Sequence, residues 1–258
     1  MGSTRNDPQH FLQMALAIAD IADEIAMEGF FSYFDVFKKT DGSPVTSVDR
    51  RIEMCLRDLV QATDAYAGFL GEEFPPTVGL GRWVVDPIDG TAQFVDGSPR
   101  FATLIAYEVD DTPIVGVVSA PALGMRWWAG HGLGARLSFN GEVSAARVSS
   151  HDDPTSARVL VPRSRHPASP GRRVLADLTE ARGTFVPYES SWEAVQVADG
   201  RADAAVAEGK WWDVAPLTII VKEAGGVSSR YRAEDGRVGI ATSNRILARK
   251  AAGAQVSV

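Results

Sequence analysis

The segment Trp83-Val84-Val85-Asp86-Pro87-Ile88-Asp89-Gly90-Thr91 constrains this chain more than any other. Its first three residues are bulky and apolar, as expected of a strand buried on both faces. The next six bring two carboxylates, a proline that cannot donate to a sheet ladder, and a glycine suited to a tight turn. A buried strand running straight into acidic side chains fits a layered α/β architecture, in which strand ends meet at a polar site. Pro87 is expected to end the strand, and Thr91 to begin a helix. The amides of Gly90 and Thr91 would then point outward at that helix's positive end, a favourable place for phosphate. Taken alone, the segment also reads as an ordinary turn, because Asp-Pro and Asp-Gly are common turn dipeptides.

Two other places repeat the pattern. Glu72-Glu73 follows the apolar run Ala67–Leu70, and Asp213 follows Trp211-Trp212 and opens an apolar stretch, Val214 to Ala224. Alone, the glutamates read as a solvated strand end and Asp213 as a helix N-cap. Together, acidic groups at the ends of separate elements would repel one another unless cations held them. Hard oxygen donors without clustered His or Cys select magnesium over zinc or copper. The four histidines, His10, His131, His151 and His166, have no metal-ligand spacing, and the single cysteine, Cys55, excludes an intramolecular disulfide.

The formal net charge of −7 argues against nucleic-acid or anionic-membrane partners, since neither polyanion would be attracted. A small phosphate ligand stays compatible, because bound cations invert the local field. No uninterrupted apolar run approaches the roughly 18 residues that span a bilayer, and the N-terminus lacks a secretory pattern, so a cytoplasmic location is expected.

Periodicity orders the rest. Asp7 and Pro8 open a helix to about Gly29, with an apolar stripe of Phe11, Met14, Ile18, Ile21 and Ile25. A polar loop, Lys38 to Pro44, precedes a second helix capped by Thr46 or Ser47, placing Asp49 in its first turn. Strands are expected at Ala67–Leu70, Trp83–Val85, Thr103–Val109 and Ile114–Ser119, with a hairpin turn at Asn140-Gly141. Beyond residue 150, strand-like runs at Ala157–Pro162, Thr184–Pro187 and Ala204–Ala207 alternate with helical stretches near 171–182, 190–200 and 213–225. A last helix falls near Asn244–Ala252. Two mixed α/β halves, 1–145 and 146–258, follow from that reading. Gly130-His131-Gly132-Leu133-Gly134 has neither P-loop nor Rossmann spacing and reads as a strand turn.

Gly71-Glu72-Glu73, the run Trp83–Thr91 and Trp212-Asp213-Val214-Ala215 resemble the signature motifs of the inositol monophosphatase family. Pro44-Val45-Thr46 with Asp49 resembles its upstream motif, and Glu223-Ala224-Gly225-Gly226 its downstream one. The resemblance runs in the same order from about residue 10 to 250. It implies a layered αβαβα sandwich of the inositol monophosphatase and fructose-1,6-bisphosphatase type, magnesium-dependent hydrolysis of a small phosphate monoester, and a homodimer. By the same resemblance, Glu72, Asp86 and the carbonyl of Ile88 would bind a first Mg2+, and Asp86, Asp89 and Asp213 a second. A third, weaker ion would sit near Glu72. Asp49 and Thr91 would hydrogen-bond the attacking water, forming the catalytic set with Glu72, while Gly90 and Thr91 would hold phosphate.

Val115–Leu123, Arg126–Ala129 and Ala241–Asn244 are more similar to the histidinol-phosphatase branch of that family than to the animal inositol enzymes. Three departures fall nearer the expected pocket. Ala92-Gln93-Phe94-Val95-Asp96-Gly97 replaces a run that carries two cations, and Glu189-Ser190 stands where the family has Gly-Ser or Gly-Asp. Glu208 resembles a substrate-hydroxyl ligand, but its connection to Asp213 is shorter than usual. A more acidic pocket favours a substrate bearing an amine, with Asp96 and Glu189 as selectors, so histidinol phosphate stands first. Inositol 1-phosphate and other cyclitol, sugar or nucleoside monophosphates are the alternatives. A catalytically inactive phosphate-metabolite sensor is the reading from another class.

Overall fold

The structure, a computed structural model, describes residues 7–163, 184–232 and 237–254. Helix α1 spans Pro8–Phe30, and the Asp7 side chain caps it by accepting the Gln9 amide at 3.0 Å. Its buried stripe is Phe11, Ala15, Ile18, Ala22 and Ile25, with the expected Met14 and Ile21 partly buried at its margin. The expected polar loop is the turn of a small hairpin, joining β1 (Val36–Lys38) to its antiparallel partner β2 (Pro44–Thr46). Helix α2 (Ser47–Thr63) starts in a capping box: Thr46 Oγ1 accepts the Val48 and Asp49 amides, and Asp49 Oδ2 accepts the Thr46 amide at 2.9 Å. Cys55 is half-buried and packs at the margin of the core beneath α1 and α2.

Seven strands form the first sheet in simple sequence order. They are β3 (Gly68–Gly71), β4 (Arg82–Asp89), β5 (Ala102–Val109), β6 (Thr112–Ala120), β7 (Met125–Gly130), β8 (Gly134–Phe139) and β9 (Glu142–Ala145). Only β3 and β4 run parallel, and their carboxyl ends therefore lie side by side. Pro87 does not end β4 as expected. The ladder slips between Asp86↔Leu104 and Asp89↔Ala102, so a bulge absorbs the missing N–H, and the Thr103 hydroxyl donates to the Pro87 carbonyl at 2.8 Å. The hairpin at Asn140-Gly141 has both residues at positive φ, 49° and 85°, the geometry Asn-Gly favours. In the glycine-rich turn between β7 and β8, the amides of Gly132 and Gly134 each donate to the Glu223 carboxylate at 3.0 Å, which explains that motif without phosphate.

The second sheet has the order β11-β10-β12-β14-β13, comprising β10 (Arg158–Pro162), β11 (Thr184–Tyr188), β12 (Ala204–Gly209), β13 (Val227–Arg232) and β14 (Val238–Ser243). The helical stretch read near 171–182 lies outside the described residues. That near 190–200 is a 3-10 turn, Ser191–Val197.

The Trp211–Glu223 helix lies between the sheets and is buried over Val214 to Val221, all round its circumference, as a sandwiched helix must be. Its approach to β6 requires Gly116, where a Cβ would sit 2.6 Å from Ile219 Cγ2 and 2.7 Å from the Pro216 carbonyl. Helices α1 and α2 cover the outer face of the first sheet through Trp83, Val85, Ile105 and Val117. The Arg245–Ala254 helix covers the outer face of the second through Leu247. The layers thus read αβαβα. The central core draws residues from both sheets, Leu104 and Val118 from one and Leu160 and Ala205 from the other.

Candidate active site

Three chain segments bring carboxylates to one place. Glu72 follows the end of β3, Asp86 and Asp89 occupy the bulged end of β4, and Asp213 is the third residue of the Trp211–Glu223 helix. Because β3 and β4 are parallel neighbours, the first two segments arrive together. Ligand atoms of Glu72, Asp86 and Asp213 all lie within 4.8 Å of one another. Asp213 is not the N-cap, as expected from sequence; Lys210 is, and its amide donates to Asp213 Oδ2 at 2.6 Å. The Trp192 amide fixes Asp89 by donating to Oδ2 at 2.6 Å. Asp86 Oδ1 accepts the Ile88 amide at 3.0 Å.

Asp49 stands on α2 beside this cluster and is 1 % exposed. Its Oδ2 takes the Thr46 amide and hydroxyl, while Oδ1 faces the Thr91 hydroxyl at 3.2 Å. The same hydroxyl lies 3.0 Å from the Ile88 carbonyl. Thr91 begins the short helix α3 (Thr91–Val95), as expected. Gly90, at φ 95°, admits no other residue: a Cβ would meet Ser190 Oγ at 2.7 Å and the Arg100 carbonyl at 2.9 Å.

The electrostatics follow from crowding. Burial, then the charges of Glu72, Asp89 and Asp213, hold the Asp86 carboxyl well above the usual range. Burial and Asp213 do the same to Asp89, against the Trp192 amide. Burial and Glu72 push Asp213 up to about 7. Burial also raises Asp49, with the Thr46 hydrogen bonds opposing it. Lys39, outside every motif, puts its ammonium 2.5 Å from Glu72 and 2.7 Å from Glu73. Burial disfavours that ammonium, yet the two glutamates outweigh it and keep it protonated. A positive group thus already occupies part of the cluster's rim. No spacing signal marked Lys39, because its role depends on the β1–β2 hairpin folding over Glu72.

A cation should relieve this crowding, and Asp213 gives the effect a pH dependence. Its folded value of about 7 exceeds its ordinary value of 3.8, so between these the folded protein holds more protons than the unfolded chain. Stability of the metal-free protein must therefore fall as pH rises through that window. Thermal melts in chelator should show a falling midpoint from pH 5 to pH 7.5, with magnesium restoring most at the upper end. A midpoint that rises across the window in chelator would contradict the repulsion.

Not every expected residue reaches the cluster. Ser190 is buried behind Gly90, and its hydroxyl donates to Gln93 at 3.3 Å. Glu189 pairs with Arg163 at 2.8 Å, which offsets the negative charge expected to attract an amine. Asp96 is exposed and ends α3. Glu208 shares the outward face of β12 with Ala204 and Val206, whereas Ala205 and Ala207 face the central layer. Its carboxylate accepts the Tyr231 hydroxyl at 2.7 Å and pairs with Arg237 at 3.4 Å. The structure therefore turns Glu208 away from Asp213, consistent with the shortened connection between them.

Comparison with known proteins gives a consistent picture. The model of the inositol monophosphatase family matches residues 7–257. A histidinol-phosphatase of Mycobacterium tuberculosis is 41% identical over 234 residues, covering 88% of this chain and 89% of its own. One from Chlorobaculum parvum is 34% identical, covering 92% and 93%. Among solved structures, the IMPase of Thermotoga maritima superposes with a TM-score of 0.77 at 28% identity, covering 94% of this chain and 95% of its own.

Proposed function

Because the chain belongs to the inositol monophosphatase family, and is therefore a metal-dependent phosphatase, we propose that it hydrolyses histidinol phosphate with magnesium. The convergence of Glu72, Asp86 and Asp213 beside the Asp49–Thr91 pair carries the hydrolytic part of this reading. The donor set fits magnesium: every converging side chain offers a hard oxygen, and among the described residues no His or Cys joins them. Glu72, Asp86 and the Ile88 carbonyl would hold one ion, and Asp86, Asp89 and Asp213 another, with Lys39 beside Glu72 where a third would sit. When bound, such ions neutralise phosphate charge and lower the pKa of water.

The chain's own groups supply the rest. Thr46 holds Asp49 rigid through two hydrogen bonds to Oδ2, leaving Oδ1 for the Thr91 hydroxyl. That hydroxyl can turn its proton to Oδ1 and present its lone pair to a water, orienting it for in-line attack. Burial raises the affinity of Asp49 for the proton that must leave that water. The amides of Gly90 and Thr91 are placed to hold a phosphate oxygen. Removing the Thr91 hydroxyl in Thr91→Val should lower kcat about a hundredfold, with KM little changed, since the lost contact orients the attacking water. A rate within a few-fold of wild type would remove Thr91 from the catalytic set.

For the substrate, the relatives named histidinol-phosphatase support the reading, and Asp96 supplies an exposed negative charge for an amine. The deciding experiment is kcat/KM for phosphate release from histidinol phosphate, inositol 1-phosphate, and several sugar and nucleoside monophosphates. Histidinol phosphate should lead by at least about tenfold, roughly what one well-placed ionic contact contributes. A higher value for any other member would overturn the assignment and make Asp96, Gln93 and Glu189 the determinants to examine. A cytoplasmic homodimer is part of the same reading, checked by fractionation and by mass in solution.

A further inference from the structure

Glu53 is a fully buried carboxylate with no part in the chemistry above. It lies on α2 one turn after Asp49 and pairs with Arg57 one turn later, at 2.7 Å. Its Oε2 accepts the Glu73 amide at 2.7 Å, and its Oε1 accepts the Phe74 amide at 3.2 Å. Arg57 Nη2 donates to the Phe74 carbonyl at 3.0 Å, and the guanidinium lies 4.5 Å over the Phe69 ring. One ion pair therefore grips three backbone groups in the two residues that follow Glu72. The residue before Glu72 is pressed against the same carboxylate: a Cβ on Gly71 would lie 2.2 Å from Glu53 Cδ. Both flanks of Glu72 are thus referenced to a single side chain on a rigid helix.

Stability alone is a poor reason for this arrangement. A buried ion pair is costly to desolvate, and apolar packing of similar volume holds a turn as well or better. A carboxylate adds direction, because charge-assisted bonds to two successive amides fix where the intervening backbone sits. We propose that the Glu53–Arg57 pair is a positioning clamp for Glu72, holding its carboxylate where Asp86 and Asp213 converge so that the cluster is formed before a cation arrives. The clamp rests on the reading of that cluster as a cation site.

The test is calorimetric titration of the full chain with Mn2+ or Mg2+, without substrate, alongside a thermal melt. Glu53→Gln keeps the side chain's size but turns an NH2 toward one of the two amides. It should weaken binding by about 10–100-fold, the usual cost of losing a group that orients a metal ligand. Arg57→Lys keeps the charge and loses the grip on the Phe74 carbonyl, and should weaken binding by a smaller factor. Asp203→Asn is the control for general damage: Asp203 is a buried carboxylate accepting the Arg158 amide at 2.7 Å, at the end of β12 remote from Asp213. It should lower the melting temperature and leave the affinity unchanged. A folded Glu53→Gln protein with wild-type affinity overturns the clamp; if that variant does not fold, wild-type affinity in Arg57→Lys does so. Absence of any binding by the wild type overturns the cation reading itself, so the two failures are distinct.

Discussion

Replacing Asp86 by Asn is expected to lower phosphate release by at least about a thousandfold, an effect of roughly 4 kcal/mol on the barrier. Asp86 is the carboxylate most enclosed by the others, and both proposed ion positions include it. The substitution should leave the fold intact, because Asn keeps the shape and can accept the Ile88 amide that Asp86 Oδ1 now takes at 3.0 Å. It should also raise the melting temperature of the metal-free protein, since Asn needs neither the buried charge nor the proton uptake that the crowded Asp86 carboxyl demands. Loss of activity together with a gain in metal-free stability is a pairing that a simple structural role does not produce. The check is steady-state turnover beside a melt in chelator; near-normal turnover would remove Asp86 from the site.

A methyl group at position 209 should be almost as damaging. Gly209 ends β12, and a Cβ there would sit 1.8 Å from Asp213 Oδ2 and 2.7 Å from its Cγ. The closest atoms belong to the carboxylate, with Asp213 Cβ behind them at 2.9 Å, so the side chain must turn and the start of its helix give slightly, driving the carboxylate off its hydrogen bond to the Lys210 amide. Gly209→Ala should therefore fold, lower turnover about a hundredfold, and demand more magnesium, because displacing a reacting group by about 1 Å costs that much. Turnover and its magnesium dependence, measured on a variant with a wild-type circular dichroism spectrum, provide the check. Unaltered kinetics would mean that the position of Asp213 against Gly209 is immaterial to the reaction.

The layered fold and the carboxylate cluster were legible in the sequence for a common reason. Each acidic residue closes an apolar run, and apolar runs report burial directly. The start of α2 was equally local: Thr46 or Ser47 offered a cap and put Asp49 in the first turn, and the structure selects Thr46 in a capping box with Asp49. What escaped the sequence depends on long-range approach. Pro87 signals a strand end by its own chemistry, yet Thr103 on the next strand satisfies its carbonyl and lets β4 continue through a bulge. Glu208 appeared by motif to face the substrate, but which way it points is fixed by its pairing with Gly239 and by Tyr231 on the adjoining strand. Lys39 and Glu53 gave no signal, because a lysine in a polar loop and a glutamate on a helix are unremarkable until the Glu72 segment folds against them. The small strands β1 and β9 are exposed and β2, though buried at Val45 and Thr46, is only three residues long, so no burial pattern announced them.

The most direct test of the central claim is phosphate release by the purified chain from a panel of small monophosphates, in magnesium, in excess chelator, and after magnesium is restored. Asp86→Asn prepared in parallel sets the background. Release should be present with magnesium, fall to that background in chelator and return on readdition, for at least one substrate of the panel. Release that persists undiminished in chelator, or that Asp86→Asn supports equally, would contradict hydrolysis at the Glu72–Asp86–Asp213 cluster.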